Sequence, residues 1–203
     1  MIPANTLMRA LRRWRQEEEG SVAVETLLMV PLLSWAFLST LVYFDAYRTE
    51  AISERAGLTI ADMLSRETGF VNNDYMNGTA DLLEFLTLHD SSPELRVTVF
   101  YKHTHANGNE HLHRVWSRVR NTTKSALTTA DVRAIEDKLP ELGDDERAIL
   151  VETWTDYDPP YEPVLATALN GFEMGTFTVI SPRFADSVCW NNDPNEDPAM
   201  SRC

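Results

Sequence analysis

Four of the five histidines in the chain are close together in the sequence, in a pattern that could bind a metal ion. His103 and His105 follow one segment rich in β-branched and aromatic residues, and His111 and His113 precede another. In an antiparallel hairpin alternate residues share a face, and opposite Cβ atoms lie about 5 Å apart. Imidazoles at that spacing could surround one Zn²⁺ ion; the alternative is a solvated hairpin end that holds no metal. His89 is separate and is expected at the surface or at a helix end.

The hairpin is predicted from two segments, Arg96–Lys102 and Arg114–Arg120, with a turn around residues 107–109. A two-residue turn would place Val99 opposite Trp116 and Val97 opposite Arg118. A register shifted by one residue is preferred because it collects apolar residues on one face. The preferred register pairs Tyr101 with Val115, Val99 with Ser117, Val97 with Val119, His103 with His113 and His105 with His111.

The second residue of chemical interest is Glu25, the one charged residue in an apolar segment from Ser21 to Phe44. A helix of that length is roughly 36 Å long, enough to cross a hydrocarbon core of about 30 Å. A carboxylate near hydrocarbon costs roughly 3 kcal/mol, so it needs a partner. If the chain were cut after Gly20, the new amino group of Ser21 would be a cation one helical turn from Glu25.

Charges on either side of the apolar segment predict its orientation. Four arginines precede it, whereas Asp45, Glu50 and Glu54 follow it. Since basic flanks stay in the cytoplasm, residues 1–20 are predicted to be a cytoplasmic leader, 21–44 a single transmembrane helix, and 45–203 an extracytoplasmic domain. A buried core helix is one alternative. A cleaved secretory signal is another, although its apolar region would be shorter, about 7–15 residues.

The residues around Glu25 resemble a known pattern. A basic leader, Gly20 followed by Ser21, Glu25 at the fifth position after the glycine, and a long apolar helix are typical of type IV prepilins. More closely, residues 20–25 with Leu27-Leu28 and Pro31-Leu32-Leu33 are similar to TadE/TadF-like minor pseudopilins of the bacterial tight-adherence (Flp) pilus system. The similarity covers about residues 16–60.

This resemblance implies a function and a location. A prepilin peptidase would cut between Gly20 and Ser21, and Glu25 would support methylation of the new amino group or pair with a neighbouring subunit. Partners would be other pilins or pseudopilins and inner-membrane assembly components, and the protein would lie in the bacterial inner membrane, with possible incorporation in the pilus. Major Flp pilins are short and have tyrosine where Thr26 stands. The resemblance therefore favours a minor, non-enzymatic subunit.

Two other functions stay open. The chain could be an uncleaved single-pass anchor that presents a periplasmic ligand- or metal-binding domain, or a cleaved secreted protein. The net charge of −13 argues against a nucleic-acid binder, which needs a basic face. The sequence contains no common hydrolase, zinc-protease or nucleotide-binding motif, so no enzyme activity and no cofactor is predicted.

The outer domain is predicted to have an α+β fold, pilin-like in outline, in which a small antiparallel sheet packs on the long helix. The helix is expected to run from Ser21 to Arg66, through an amphipathic second half. Besides the hairpin, the pattern predicts strands Ala148–Tyr157 and Thr176–Ile180. It also predicts short helices over 80–89 with Thr79 as N-cap, from Thr128 to Leu139, and over 163–169.

Cys189 and Cys203 are the only cysteines. In an oxidising periplasm they are expected to form a disulfide that closes the carboxyl-terminal tail. Asp193, Asn195 and Asp197 alternate inside this loop in the manner of a weak calcium-binding motif, but Pro198 stands where such a loop has glycine.

Overall fold

The computed structural model describes residues 19–87, 92–105, 108–159, 171–191 and 203. Their fold is α+β, which confirms the predicted class: a long amino-terminal helix, a four-stranded antiparallel sheet and short helices. In chain order the elements are α1 (Glu19–Ser65), α2 (Asn73–Thr87), β1 (Glu94–Thr104), β2 (Glu110–Arg120), α3 (Thr129–Ala134), a 3-10 turn (Glu136–Lys138), β3 (Arg147–Tyr157) and β4 (Phe172–Ile180). The helix predicted over residues 163–169 lies outside the described residues, as do His89 and the weak calcium motif.

Helix α1 is continuous over 47 residues, with Pro31 inside it. Its first half carries exposed apolar side chains such as Leu27 and Phe37, and packing against the rest of the protein begins at Val42, which is 2 % exposed. By length and composition α1 is a candidate membrane span. The helix therefore has two halves: the first has exposed apolar side chains, and the second packs on the sheet.

The sheet has the strand order β2-β1-β3-β4, and α1 packs against β3 and β4. One core lies between the sheet and helices α1 and α2, around residues such as Ile60, Leu83 and Trp116. A second core lies on the opposite face, where Val132 of α3 packs with Phe100 and neighbouring residues. The domain thus has three layers with the sheet in the middle.

Helix α2 begins earlier than the sequence predicts. The predicted N-cap was Thr79, but the helix starts at Asn73, and Asn72 accepts a hydrogen bond from the backbone N–H of Tyr75 at 2.8 Å. Thr79 is instead buried inside the helix and donates to the carbonyl of Tyr75. Asn72 and not Thr79 therefore caps this helix, because asparagine favours N-cap positions.

The preferred hairpin register is wrong. Val99 lies opposite Trp116 and Val97 opposite Arg118, the register of the rejected alternative, and a β-bulge follows Val99. Beyond the bulge the pairing shifts by another residue, so that His103 lies opposite His111 and not His113. The bulge places one extra residue of β2 in the ladder and changes the register from there to the hairpin tip.

The sheet has two ends that differ in their relation to α1. At the end we call proximal, the Tyr157 hydroxyl donates to the carbonyl of Val42 at 3.3 Å. At the end we call distal, the backbone N–H of Arg183, just after β4, donates to the carbonyl of Ser65 at 2.7 Å. Because β3 rises about 3.3 Å per residue, the two ends are separated by roughly 33 Å.

Candidate functional site

The four clustered histidines lie on one face of the hairpin at the distal end of the sheet. His103 is the cross-strand partner of His111, and Tyr101 is the partner of His113. Residues at alternate positions share a face, which adds His105 to the same surface. The backbone N–H of His105 donates to the carbonyl of Asn109 at 2.9 Å, which closes the hairpin next to the cluster.

The imidazole rings are near one another. Ring centroids lie 5.1 Å apart for His103 and His105, 5.6 Å for His105 and His111, and 6.4 Å for His105 and His113. The structure therefore brings together the four histidines that the sequence singled out, although neither of the two predicted cross-strand histidine pairs forms. The ring of His105 is in contact with each of the other three rings, so His105 is the centre of the group.

An acidic loop that the sequence analysis missed completes this surface. Asp144 and Asp145 precede β3, and the carboxylate of Asp145 lies 3.3 Å from Nδ1 of His103. Within the described residues, His103, Asp144 and Asp145 each offer one possible ligand atom, and these three atoms lie within 4.8 Å of one another. We call these two aspartates and the four histidines the distal cluster.

Backbone hydrogen bonds fix the acidic loop beside β1. Asp145 donates to the carbonyl of Lys102 at 2.8 Å, and Lys102 donates to the carbonyl of Glu146 at 3.2 Å. Thr104 donates its backbone N–H to Asp144 at 2.6 Å. Hydrogen bonds from the Thr104 hydroxyl and N–H lower the pKa of the Asp144 carboxyl, so this group stays ionised well below neutral pH.

One histidine of the cluster has a cationic neighbour. The Arg133 guanidinium donates to the carbonyl of Leu112 at 2.9 Å and lies 3.4 Å from Nε2 of His113. Arginine can only donate, so Nε2 of His113 accepts. Burial, then the charge of Arg133 and the other imidazoles, lowers the pKa of His113, which favours the neutral ring.

The predicted processing site lies at the other end of the molecule. Gly20 and Ser21 belong to the first turn of α1, and Glu25 is exposed on the same helix one turn later. Among the neighbouring residues of the described helix, Val22, Leu27 and Leu28 are exposed apolar side chains. The carboxylate therefore lies on an apolar helix surface, about one turn from the peptide bond that is predicted to be cut.

The two cysteines lie close together on the domain surface. Cys189 and Cys203 are joined by a disulfide with an S–S distance of 2.03 Å. The segment around Cys189 adds a short parallel bridge between Trp190 and Val71, next to the end of α1. This bond ties the last residue of the chain to the sheet domain.

A shallow apolar groove of about 220 Å³ lies at the proximal end, where α1 meets the sheet. Its lining includes four aromatic side chains: Tyr43 and Tyr47 from α1, Tyr157 from β3 and Phe172 from β4.

Comparison of the chain with protein-family models, curated proteins and solved structures found no match.

Proposed function

We propose that the protein is a non-enzymatic minor pseudopilin of the TadE/TadF-like kind, which takes part in the assembly of a tight-adherence pilus. One observation carries the proposal: α1 is a single helix whose apolar first half is uncovered and whose second half is part of a folded domain. A subunit of this shape can sit in a membrane or in a bundle of like helices while its domain stays in water.

The packing of α1 supports a membrane span of the right length. The first buried residue of α1 is Val42, so a span that begins at the predicted start, Ser21, ends at about Leu41. About 21 residues at 1.5 Å each give roughly 31 Å, close to the thickness of a hydrocarbon core. The span in this proposal is therefore a few residues shorter than the segment from Ser21 to Phe44.

Aromatic residues at the proximal end fit a membrane boundary there. Tyr43, Tyr47 and Phe172 are each at least half exposed, and they surround the point at which the domain begins. Tyrosine is enriched at membrane–water interfaces because its ring is apolar and its hydroxyl polar. In this arrangement the distal cluster lies at the end of the sheet that faces away from the membrane.

In this proposal Glu25 determines which group the apolar helix binds, because its carboxylate needs a cation as partner. The cost of a carboxylate near hydrocarbon is offset when a cation lies beside it. The amino group of Ser21, released by cutting after Gly20, would be such a cation, in the same chain or a neighbouring one. The basic leader, residues 1–20, would stay in the cytoplasm with the peptidase.

Amino-terminal sequencing of the protein from membranes of its host tests the proposal. Ser21 as the first residue is the expected result. Met1 would overturn it in favour of an uncleaved anchor, and a start beyond Phe44 would indicate a secreted protein. Gly20→Leu is expected to accumulate as a longer form, because a bulky residue at the cut position would block the peptidase; a parent and variant of equal mobility would contradict the proposal.

A further inference from the structure

We propose that the distal cluster binds one divalent transition-metal ion of the Zn²⁺ class, with His103, Asp144 and Asp145 as ligands and His105 as the fourth. This inference does not depend on the pseudopilin function, since it concerns the opposite end of the molecule. It changes the ligand set expected from the sequence, which consisted of the four histidines alone.

The first argument is distance. In a tetrahedral zinc site with bonds of about 2.0–2.2 Å, neighbouring ligand atoms are roughly 3.4 Å apart. Nδ1 of His103 and Oδ1 of Asp145 are already 3.3 Å apart. One possible ligand atom from each of His103, Asp145 and Asp144 lies within 4.8 Å of the other two, so side-chain rotation has to close a gap of about 1.4 Å at most to reach the tetrahedral spacing.

The second argument is that the ligands are on a rigid scaffold. His103 is inside β1, and the acidic loop is joined to β1 by backbone hydrogen bonds at Lys102 and Asp145. The hydrogen bond from Thr104 orients the carboxylate of Asp144. Metal sites in proteins are supported in this way, by hydrogen bonds that hold the ligating carboxylates and imidazoles in place.

The third argument concerns which imidazole completes the site. The ring of His105 is 5.1 Å from that of His103, closer than it is to His111 or His113, and His105 is exposed, so neighbouring atoms leave room for the ring to turn. His113 is held by Arg133, whose positive charge opposes a cation at that position. Two carboxylates balance the charge of a divalent ion, and imidazole with carboxylate is a common ligand set for zinc.

Calorimetric titration of the tag-free full chain in detergent with ZnCl₂ tests the proposal. We expect one Zn²⁺ per chain. Asp145→Asn and His103→Gln should each weaken binding by at least about tenfold. Loss of a residue that only supports a metal ligand already costs that much, and loss of a ligand itself should cost no less. Glu110→Gln is the matched control. Glu110 lies at the same end of the hairpin and pairs with Lys102 at 2.6 Å, and its substitution removes one negative charge, as Asp145→Asn does.

The outcomes separate the site from adventitious binding. Absence of saturable binding, or equal weakening by Glu110→Gln and Asp145→Asn, would overturn the proposal. His105→Gln tests the fourth ligand and should weaken binding while it leaves the stoichiometry at one. Circular dichroism of each variant serves as the control that the variant is folded. Amino-terminal sequencing, which tests the pseudopilin function, reads a different part of the chain, so failure of one proposal leaves the other standing.

Discussion

The hydroxyl of Tyr157, the last residue of β3, lies 3.1 Å from the carboxylate of Asp45 in α1, 112 residues away in the sequence. The same hydroxyl lies 3.3 Å from the carbonyl of Val42. This contact is at the point where α1 changes from an uncovered apolar helix to a packed one. It joins the end of β3 to the start of the packed half of α1.

Tyr157→Phe is expected to lower the stability of the domain. Hydrogen bonds to charged groups contribute about 1.5–3 kcal/mol, and a value near 1.5 kcal/mol is expected because Asp45 is partly exposed. Urea unfolding of the full chain in detergent measures the change. Tyr47→Phe is the control, since Tyr47 is an exposed tyrosine of the same helix. Equal stability of the two variants would show that the Tyr157 contact contributes nothing.

The same contact should respond to alkaline pH. Burial, together with the hydrogen bond and negative charge of Asp45, raises the pKa of Tyr157 to about 12 from an ordinary value of 10.0. A pKa raised by folding means that the contribution to stability is complete below pH 10 and is lost as pH rises toward 12. The stability difference between wild type and Tyr157→Phe should therefore shrink over that interval. A difference that stays constant from pH 9 to 12 would contradict the assignment.

Two glycines in helices predict opposite effects of the same substitution. A Cβ at Gly57 would lie 2.9 Å from the Thr176 hydroxyl oxygen, which itself lies 2.7 Å from the hydroxyl of Thr153. At Gly78 a Cβ would meet nothing within 4 Å. Gly78→Ala should stabilise by up to about 1 kcal/mol through helix propensity. Gly57→Ala should destabilise by about 1–3 kcal/mol because α1 could no longer approach β4 as closely.

Urea midpoints of the two glycine variants measure this difference, with each serving as the other's control. A Gly57→Ala protein as stable as Gly78→Ala would mean that the approach of α1 to β4 is looser than the structure shows.

The buried ion pair between β1 and β3 gives a further prediction. Arg96 donates to both carboxylate oxygens of Glu152, at 2.6 and 2.7 Å, and these side chains are only 14 % and 9 % exposed. Removal of one partner leaves an unpaired buried charge, so Arg96→Met should cost about 3–5 kcal/mol. The double variant, in which Glu152 is also replaced by Met, should be more stable than Arg96→Met alone.

Arg66→Met is the comparison for this pair, since Arg66 forms an ion pair with Asp62 in which both side chains are largely exposed. Its effect should be below about 1 kcal/mol. Thermal unfolding of Arg96→Met, the double variant and Arg66→Met measures these differences in stability. A double variant less stable than Arg96→Met would mean that the loss came from packing against neighbours and not from the unpaired carboxylate.

The sequence predicted the kinds of elements better than their alignment. The end of α1 is one residue from the prediction, and Thr128 caps α3 through a capping box with Asp131, because these features depend on local patterns. Strands β1 and β4 are longer than predicted and start at Glu94 and Phe172. Their extra residues at the amino ends pair with β3: Glu94 lies opposite Trp154, 60 residues away, and Phe172 lies opposite Tyr157, 15 residues away. A local pattern does not show which residues such pairing will add to a strand.

The register failed for a physical reason that can be located. The predicted apolar face left Trp116 outside and put Ser117 inside. Trp116 is instead fully buried, and its indole N–H donates to the carbonyl of Val188 at 2.7 Å. Ser117 is buried on the opposite face, where its hydroxyl lies 2.8 Å from that of Thr98. Burial of the larger ring outweighs the regular valine pattern, since aromatic side chains bury the most area.

The grouping of the histidines survived this error because of the bulge. Relative to the predicted register, the body of the hairpin is shifted by one residue and the tip by two. A shift of two residues changes the partner but restores the face, since side chains alternate with a period of two. Asp144 and Asp145 could not be found in this way, because they meet the hairpin only through the strand order β2-β1-β3.

Glu25→Ala tests the role of the carboxylate in the apolar helix. If Glu25 pairs with the amino group released after Gly20, its loss should leave cutting intact and weaken the association of subunits, because the new cation then lacks a partner near hydrocarbon. The amino-terminal residue should stay Ser21, whereas assembled pili and copurifying subunits should decrease. Glu54→Ala is the control, since Glu54 is exposed on the same helix outside the apolar half. Normal piliation in the Glu25 variant would contradict this role, and so would an equal loss in the control.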